Sequence, residues 1–167
     1  MQFSVGDKVV HPHYGPGQIA SVGWWELVDG AKCYYVIDIP GRGLTVRVPV
    51  LKAGEVGMRL AMSQSRLPRV LCMLRGKPHP LPEDYRERQE QISAQLKTGG
   101  VIQLAKMVRD LTWHRELAHL TKKDSDYLKQ GRELLAAEMA LASGDDVSHA
   151  SKLIEATVTA AMASALN

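Results

Sequence analysis

His11 and His13 stand two residues apart in HPHYGPG. On an extended strand, two such side chains point to the same side, as a pair of metal ligands would. No third histidine or cysteine lies nearby, and Pro12, Gly15 and Pro16 mark the stretch as a turn, so no metal is expected there. His79 sits between prolines, and His114, His119 and His149 are isolated on helical stretches, where solvent exposure is the default. Neither Cys33 nor Cys72 has the CxxC partner of a redox or zinc site, and both are expected to be reduced, buried thiols. Glu83-Asp84 and Asp145-Asp146 are paired carboxylates, but both pairs fall at expected helix starts, where the dipole favours acids without any catalysis. The chain contains no GxGxxG, no GxxxxGK[ST] and no GxSxG. An enzyme is therefore not expected, nor a cofactor, nor a small-molecule substrate.

Charge is the remaining chemical resource, and it is unevenly spread. Residues 1–60 hold six basic and five acidic side chains, residues 61–132 hold fourteen and eight, and residues 133–167 hold one and five. A basic middle between a neutral and an acidic end points to an anionic partner for one part of the molecule, or to a solvated helical surface.

Two kinds of element must carry these groups. Up to about residue 60 the pattern is that of strands: Val9-Val10, Gln18 to Val22, Cys33 to Ile39 and Leu44 to Pro49, separated by turn residues including Asp29-Gly30 and Gly41-Arg42-Gly43. Four or five short strands in so short a segment predict a small β-barrel of the SH3 or Tudor kind. From Ser65 onward apolar residues recur at three- and four-residue spacing. Leu67, Val70, Leu71 and Leu74 share one face, and Pro78, Pro80 and Pro82 form a stiff connector. Pro82 suits the first turn of a helix running to Lys97. Further helices are expected over Val101–His119, after a Thr121/Asp124 cap, and after Asp145 or Asp146. The predicted fold is α+β in two domains: a β-barrel over residues 1–60 and an all-α domain over 61–167, with a proline-containing connector near 76–82.

With 167 residues, 45% hydrophobic and 23% charged, the composition is that of a folded globular chain. No apolar run approaches the ~18 residues of a membrane span. Asp7 and Lys8 interrupt the position where a signal peptide would be apolar, so a cytoplasmic protein is expected.

Within this order of elements, VGDKVVHPHYGPGQI, GLTVRVPV and EVGMR closely resemble the CarD/CdnL family of bacterial transcription regulators. The resemblance continues through KMVRDL at 106–111 and RELLAAEMALA at 132–142, and so covers nearly the whole chain. Transcription-repair coupling factors share the barrel but attach it to helicase domains, so the helical second half favours the free-standing regulator. The resemblance implies that the barrel binds the β subunit of RNA polymerase, partly by adding an edge strand. It implies that the helical domain sits on promoter DNA at the upstream edge of the bubble, without reading sequence. An aromatic wedge in the minor groove there prolongs the open complex; a planar ring replaces some of the stacking lost when a base step opens.

Carried onto this chain, the polymerase side falls on Leu44, Thr45, Val46, Arg47 and Val48, with Trp25 from the preceding hairpin. Of Trp24 and Trp25, one is expected in the barrel core and the other in an exposed contact. For Thr45 and Arg47 the alternative is the solvated face of an ordinary strand. The wedge position, usually tryptophan in the family, is Tyr85 here, with Arg86, Arg88, Lys122 and Lys123 as phosphate contacts. For Tyr85 the alternative is a first-turn residue packed on the linker prolines. The protein so implied is a monomer attached to RNA polymerase and, through it, to the nucleoid. A second function fits the same residues: an adaptor whose helical domain binds another protein instead of DNA. Glu87 and Glu90 beside the arginines, and the acidic C-terminal portion, favour that second function.

Overall fold

The computed structural model describes residues 2–26, 30 and 33–167. The chain forms two compact units, Met1–Ala61 and Met62–Asn167. Among the described residues the first contains a five-stranded antiparallel sheet: β1 (Lys8–His11), β2 (Gly15–Trp24), β3 (Cys33–Ile39), β4 (Leu44–Pro49) and β5 (Arg59–Leu60), in the order β4-β3-β2-β1-β5. Asp29 of the expected Asp29-Gly30 turn lies outside the described residues.

Alternation in β3 and β4 determines which side chains enter the core. Tyr35, Ile37 and Ile39 pair with Val48, Val46 and Leu44 on one face, and five of these six pack in or against the core with Phe3, Val9, Ile19 and Met58; Leu44, at the strand start, is exposed. The Tyr35 hydroxyl accepts a hydrogen bond from the Phe3 amide at 2.9 Å, which fixes the N-terminal segment over the sheet. A register shift between Ile19 and Ser21 in β2 supplies the bulge that lets a long strand twist in a small sheet. Gly17 is required by close approach: a Cβ there would lie 2.5 Å from the Asp38 carbonyl oxygen. The glycine in GPGQ is thus explained by packing.

The second unit contains α1 (Leu67–Arg75), α2 (Tyr85–Thr98), α3 (Val101–Leu117), α4 (Lys122–Ser143) and α5 (Val147–Ala165). Their apolar stripes meet in one core that includes Val70, Leu74, Ile92, Val108, Leu111, Leu135, Met139 and Ile154. Burying each such side chain is worth about 1.5–3 kcal/mol. α2 begins three residues later than Pro82 would place it. Asp84, in extended conformation, caps it by accepting from the Arg86 and Glu87 amides at 2.7 and 3.4 Å. A carboxylate satisfies orphan first-turn donors, which proline cannot do, and so sets the boundary. The Thr121/Asp124 cap forms as a reciprocal capping box. At α5, Asp146 occupies the cap position without a side-chain bond, and Asp145 lies 3.2 Å from His149 Nδ1.

Buried polar groups hold this unit together. Arg109 and Asp110 of KMVRDL are 3% and 7% exposed. Arg109 donates to the Met73 carbonyl at 3.1 Å and to Asp110 at 2.8 Å, while Asp110 accepts from the His79 amide at 3.0 Å. The motif therefore ties the end of α1 and the proline connector to α3. Glu138 accepts from the Met62 amide at 3.0 Å and so fastens the start of the unit to α4. The cysteines differ from expectation: Cys72 is exposed on α1 and Cys33 only half-buried, because each lies at a position its element turns partly outward.

Candidate functional site

Strand order makes β4 an edge: β3 lies on one side, and no strand among the described residues lies on the other. Leu44, Thr45 and Arg47 are exposed, Val46 is half-buried and Val48 is buried. On the outer face Arg47 pairs with Val36, and Thr45 donates to Asp38 at 3.0 Å. The Arg47 guanidinium carbon lies 5.3 Å from the centre of the Trp25 ring, which meets Tyr34 edge-on at 6.3 Å. Space for that ring comes from Gly23, where a Cβ would sit 2.4 Å from Trp25. An arginine held over an aromatic face loses little further freedom when it pairs with an acceptor. Neither tryptophan belongs to the sheet core: Trp24 is 76% exposed, and Trp25 lies on the outer face with Arg47. The expectation of one core tryptophan is therefore corrected: Trp24 is the exposed last residue of β2, and Trp25, just past the strand end, folds back over Gly23.

In the helical unit, Tyr85 is the first residue of α2 and is 49% exposed. Arg86 donates to its hydroxyl at 3.1 Å, and the guanidinium carbon lies 5.6 Å from the ring centre. Lys122 and Lys123, the first residues of α4, are exposed, with Lys123 Nζ 5.8 Å from the Tyr127 ring.

Arg88 does not belong with them. It is 4% exposed, and its guanidinium binds Asp124 at 2.7 and 3.2 Å and the carbonyls of Pro82 and Glu83 at 3.0 and 3.2 Å. These partners take the face a phosphate would need, so Arg88 is corrected from a DNA contact to a tie between helices. Asp124 opposes it: burial raises its carboxyl pKa, but hydrogen bonds from Arg88 and Thr121 outweigh burial and hold it below the ordinary value. Gln89 adds a bond to Thr121 at 3.1 Å. The first turns of α2 and α4 are thereby joined, which brings Tyr85 and Arg86 to the same end of the unit as Lys122 and Lys123. Nothing local in the sequence marks this pair, whose members are 36 residues apart; the capping box points only to half of it.

His11 acts within its own turn. Its Nδ1 accepts from the amides of His13 and Tyr14 at 3.1 and 3.3 Å. Among the described residues no three histidine, cysteine or acidic side chains gather as metal ligands. Burial, helped by the charge of His13, holds the His11 pKa below its usual value. Protonation thus favours the unfolded chain. The stability His11 contributes is full above the ordinary value of ~6.5 and is lost as pH falls from there through the folded value. His11→Asn supplies an acceptor that does not titrate. Thermal unfolding of the first unit should then lose part of its sensitivity to acid below about pH 6.5; an unchanged slope would remove His11 as the source.

No described helix is long and apolar enough to cross a membrane. Residues 3–60 match the family model described as the CarD-like/TRCF RID domain, and residues 69–155 match that of the CarD C-terminal domain. The chain is also 24% identical over 142 residues to the Bacillus subtilis (strain 168) protein named "Putative transcription factor YdeB", across 85% of this chain and 93% of that one. The two matches follow the same order as the β-sheet and helical units and together take in the β4 edge, Tyr85 and the Arg88–Asp124 tie. The chain belongs to the CarD family of transcription regulators.

Proposed function

We propose that the first unit attaches to the β subunit of RNA polymerase through the free edge of β4. Leu44, Thr45, Val46, Arg47 and Val48 add their backbone to a partner strand, and Trp25 holds Arg47 ready for a carboxylate or carbonyl. The observation that carries this reading is an unpaired edge strand with Arg47 exposed and stacked on Trp25. The helical unit then holds promoter DNA at the upstream edge of the open bubble without reading sequence, with Tyr85 as wedge and Arg86, Lys122 and Lys123 on phosphates. The protein acts as a monomer in the bacterial cytoplasm. A longer-lived open complex raises output from promoters limited by melting and lowers it where polymerase escape is limiting.

One observation favours a protein-binding helical unit instead. Glu87 and Glu90 are exposed beside Arg86, and burial of Arg88 removes one cation from that surface. Under this reading the molecule is an adaptor on polymerase.

Arg47→Glu tests the polymerase edge. The variant should lose capture of the β subunit in a pull-down, by tenfold or more, with its circular dichroism unchanged (about 1.4 kcal/mol per tenfold). Trp25→Ala should weaken capture less, since it removes the support and keeps the charge. Full binding by a folded Arg47→Glu protein would take Arg47 out of the interface.

A further inference from the structure

α4 lines a cleft with Ser125, Lys129, Arg132 and Glu133, the last two lying three and four residues beyond Lys129. Across this cleft of about 300 Å³ they face Arg115 on α3 and Ser151 on α5. Three cations from two helices thus line a cleft with one carboxylate. Arg132 decides what such a cleft can hold. Its Nε is buried and has no hydrogen-bond partner among the described residues. That atom is closed to the cleft, so what this half-buried side chain offers a ligand is the rest of its guanidinium. Burial and the charge of Arg115 both press its pKa below the usual value, while Glu155 on α5 acts in the opposite sense. Arg115 has little relief of its own, because Glu116 lies 3.7 Å away and both side chains are about half exposed.

We propose that this cleft binds the phosphate groups of a small phosphorylated ligand, with Arg132, Lys129 and Arg115 as charge partners and Ser125 and Ser151 as hydroxyl donors. A carboxylate offers two oxygens and one charge, enough for one guanidinium. A pyrophosphate-like group carries more charge and enough oxygens for three cations and two hydroxyls at once. Its size suits the cleft. This site does not depend on the polymerase reading: none of its residues lies on β4 or beside Tyr85.

Inorganic pyrophosphate is the probe, titrated calorimetrically into the full chain at constant ionic strength, with sodium chloride as control. Saturable binding to one site is expected, together with a rise in the melting temperature of the helical unit. Arg132→Gln should weaken binding about tenfold or more and abolish that rise. Lys129→Gln, on the exposed side of α4, should weaken binding severalfold without touching the core, which keeps the test valid if the first variant folds poorly. Polymerase capture should be unaffected by either change. Absence of saturable binding to the native chain overturns the site, as does unchanged affinity in both variants. A loss of duplex DNA affinity in the variants, without pyrophosphate binding by the native chain, overturns it in favour of a DNA contact.

Discussion

Asp124→Ala should cost the helical unit about 3–5 kcal/mol, the largest stability effect expected of any single surface-independent change here. The side chain is wholly buried, and its removal leaves the Arg88 guanidinium, 4% exposed, facing only carbonyls. The loss of the Thr121–Asp124 capping box adds roughly 1 kcal/mol. Asp124→Asn keeps a cap acceptor but not the charge, and should fall between. Arg88→Met combined with Asp124→Leu should recover much of the loss, because two apolar groups leave nothing buried and unpaired. Denaturant unfolding, followed by helical circular dichroism, measures all three variants against the native chain. The native contribution is present above the ordinary aspartate value of ~3.9 and is lost as pH falls from there through the lower folded value. A cost for Asp124→Ala below about 1 kcal/mol would show that other contacts join α2 to α4.

Tyr85→Ala should shorten the open complex about fivefold to a hundredfold at saturating protein. Base–aromatic stacking is worth about 1–3 kcal/mol, and each 1.4 kcal/mol is a factor of about ten. Attachment to polymerase, proposed to lie on the first unit, should be unchanged. Tyr85→Trp should preserve or extend the lifetime through its larger ring. Tyr85→Phe removes the hydroxyl that accepts from Arg86, so a small effect assigns the role to stacking and a large one to that bonded pair. Packing alone makes another forecast: Tyr85→Ala would lower the melting temperature and change lifetime only in proportion. With the ring 49% exposed, that contribution should be small. An unchanged lifetime in a folded, polymerase-bound variant would remove Tyr85 as wedge and leave the adaptor as the better reading.

Asp124 and Tyr85 also mark where reading the chain stops and the fold begins. The strands at Cys33–Ile39 and Leu44–Pro49, and the turn from α4 to α5 at Ser143-Gly144, follow from local pattern: alternation, branched side chains and a glycine in the left-handed region. The Thr121/Asp124 cap is equally local, since donor and acceptor lie three residues apart. The order of the motifs was enough to give the family. Exposure of a charge is another matter. Arg86 and Arg88 look alike in PEDYRERQEQ, yet one lies over Tyr85 at the surface and the other is buried on Asp124. Trp24 and Trp25 are adjacent, yet only Trp25 folds over Gly23 to support Arg47. Arg132 likewise reads as one more helical cation until α3 and α5 close around it. Secondary structure is encoded within a few residues because its hydrogen bonds and side-chain periods are local. Whether a charge meets solvent, a partner or nothing depends on groups brought from distant parts of the chain, and only tertiary packing decides it.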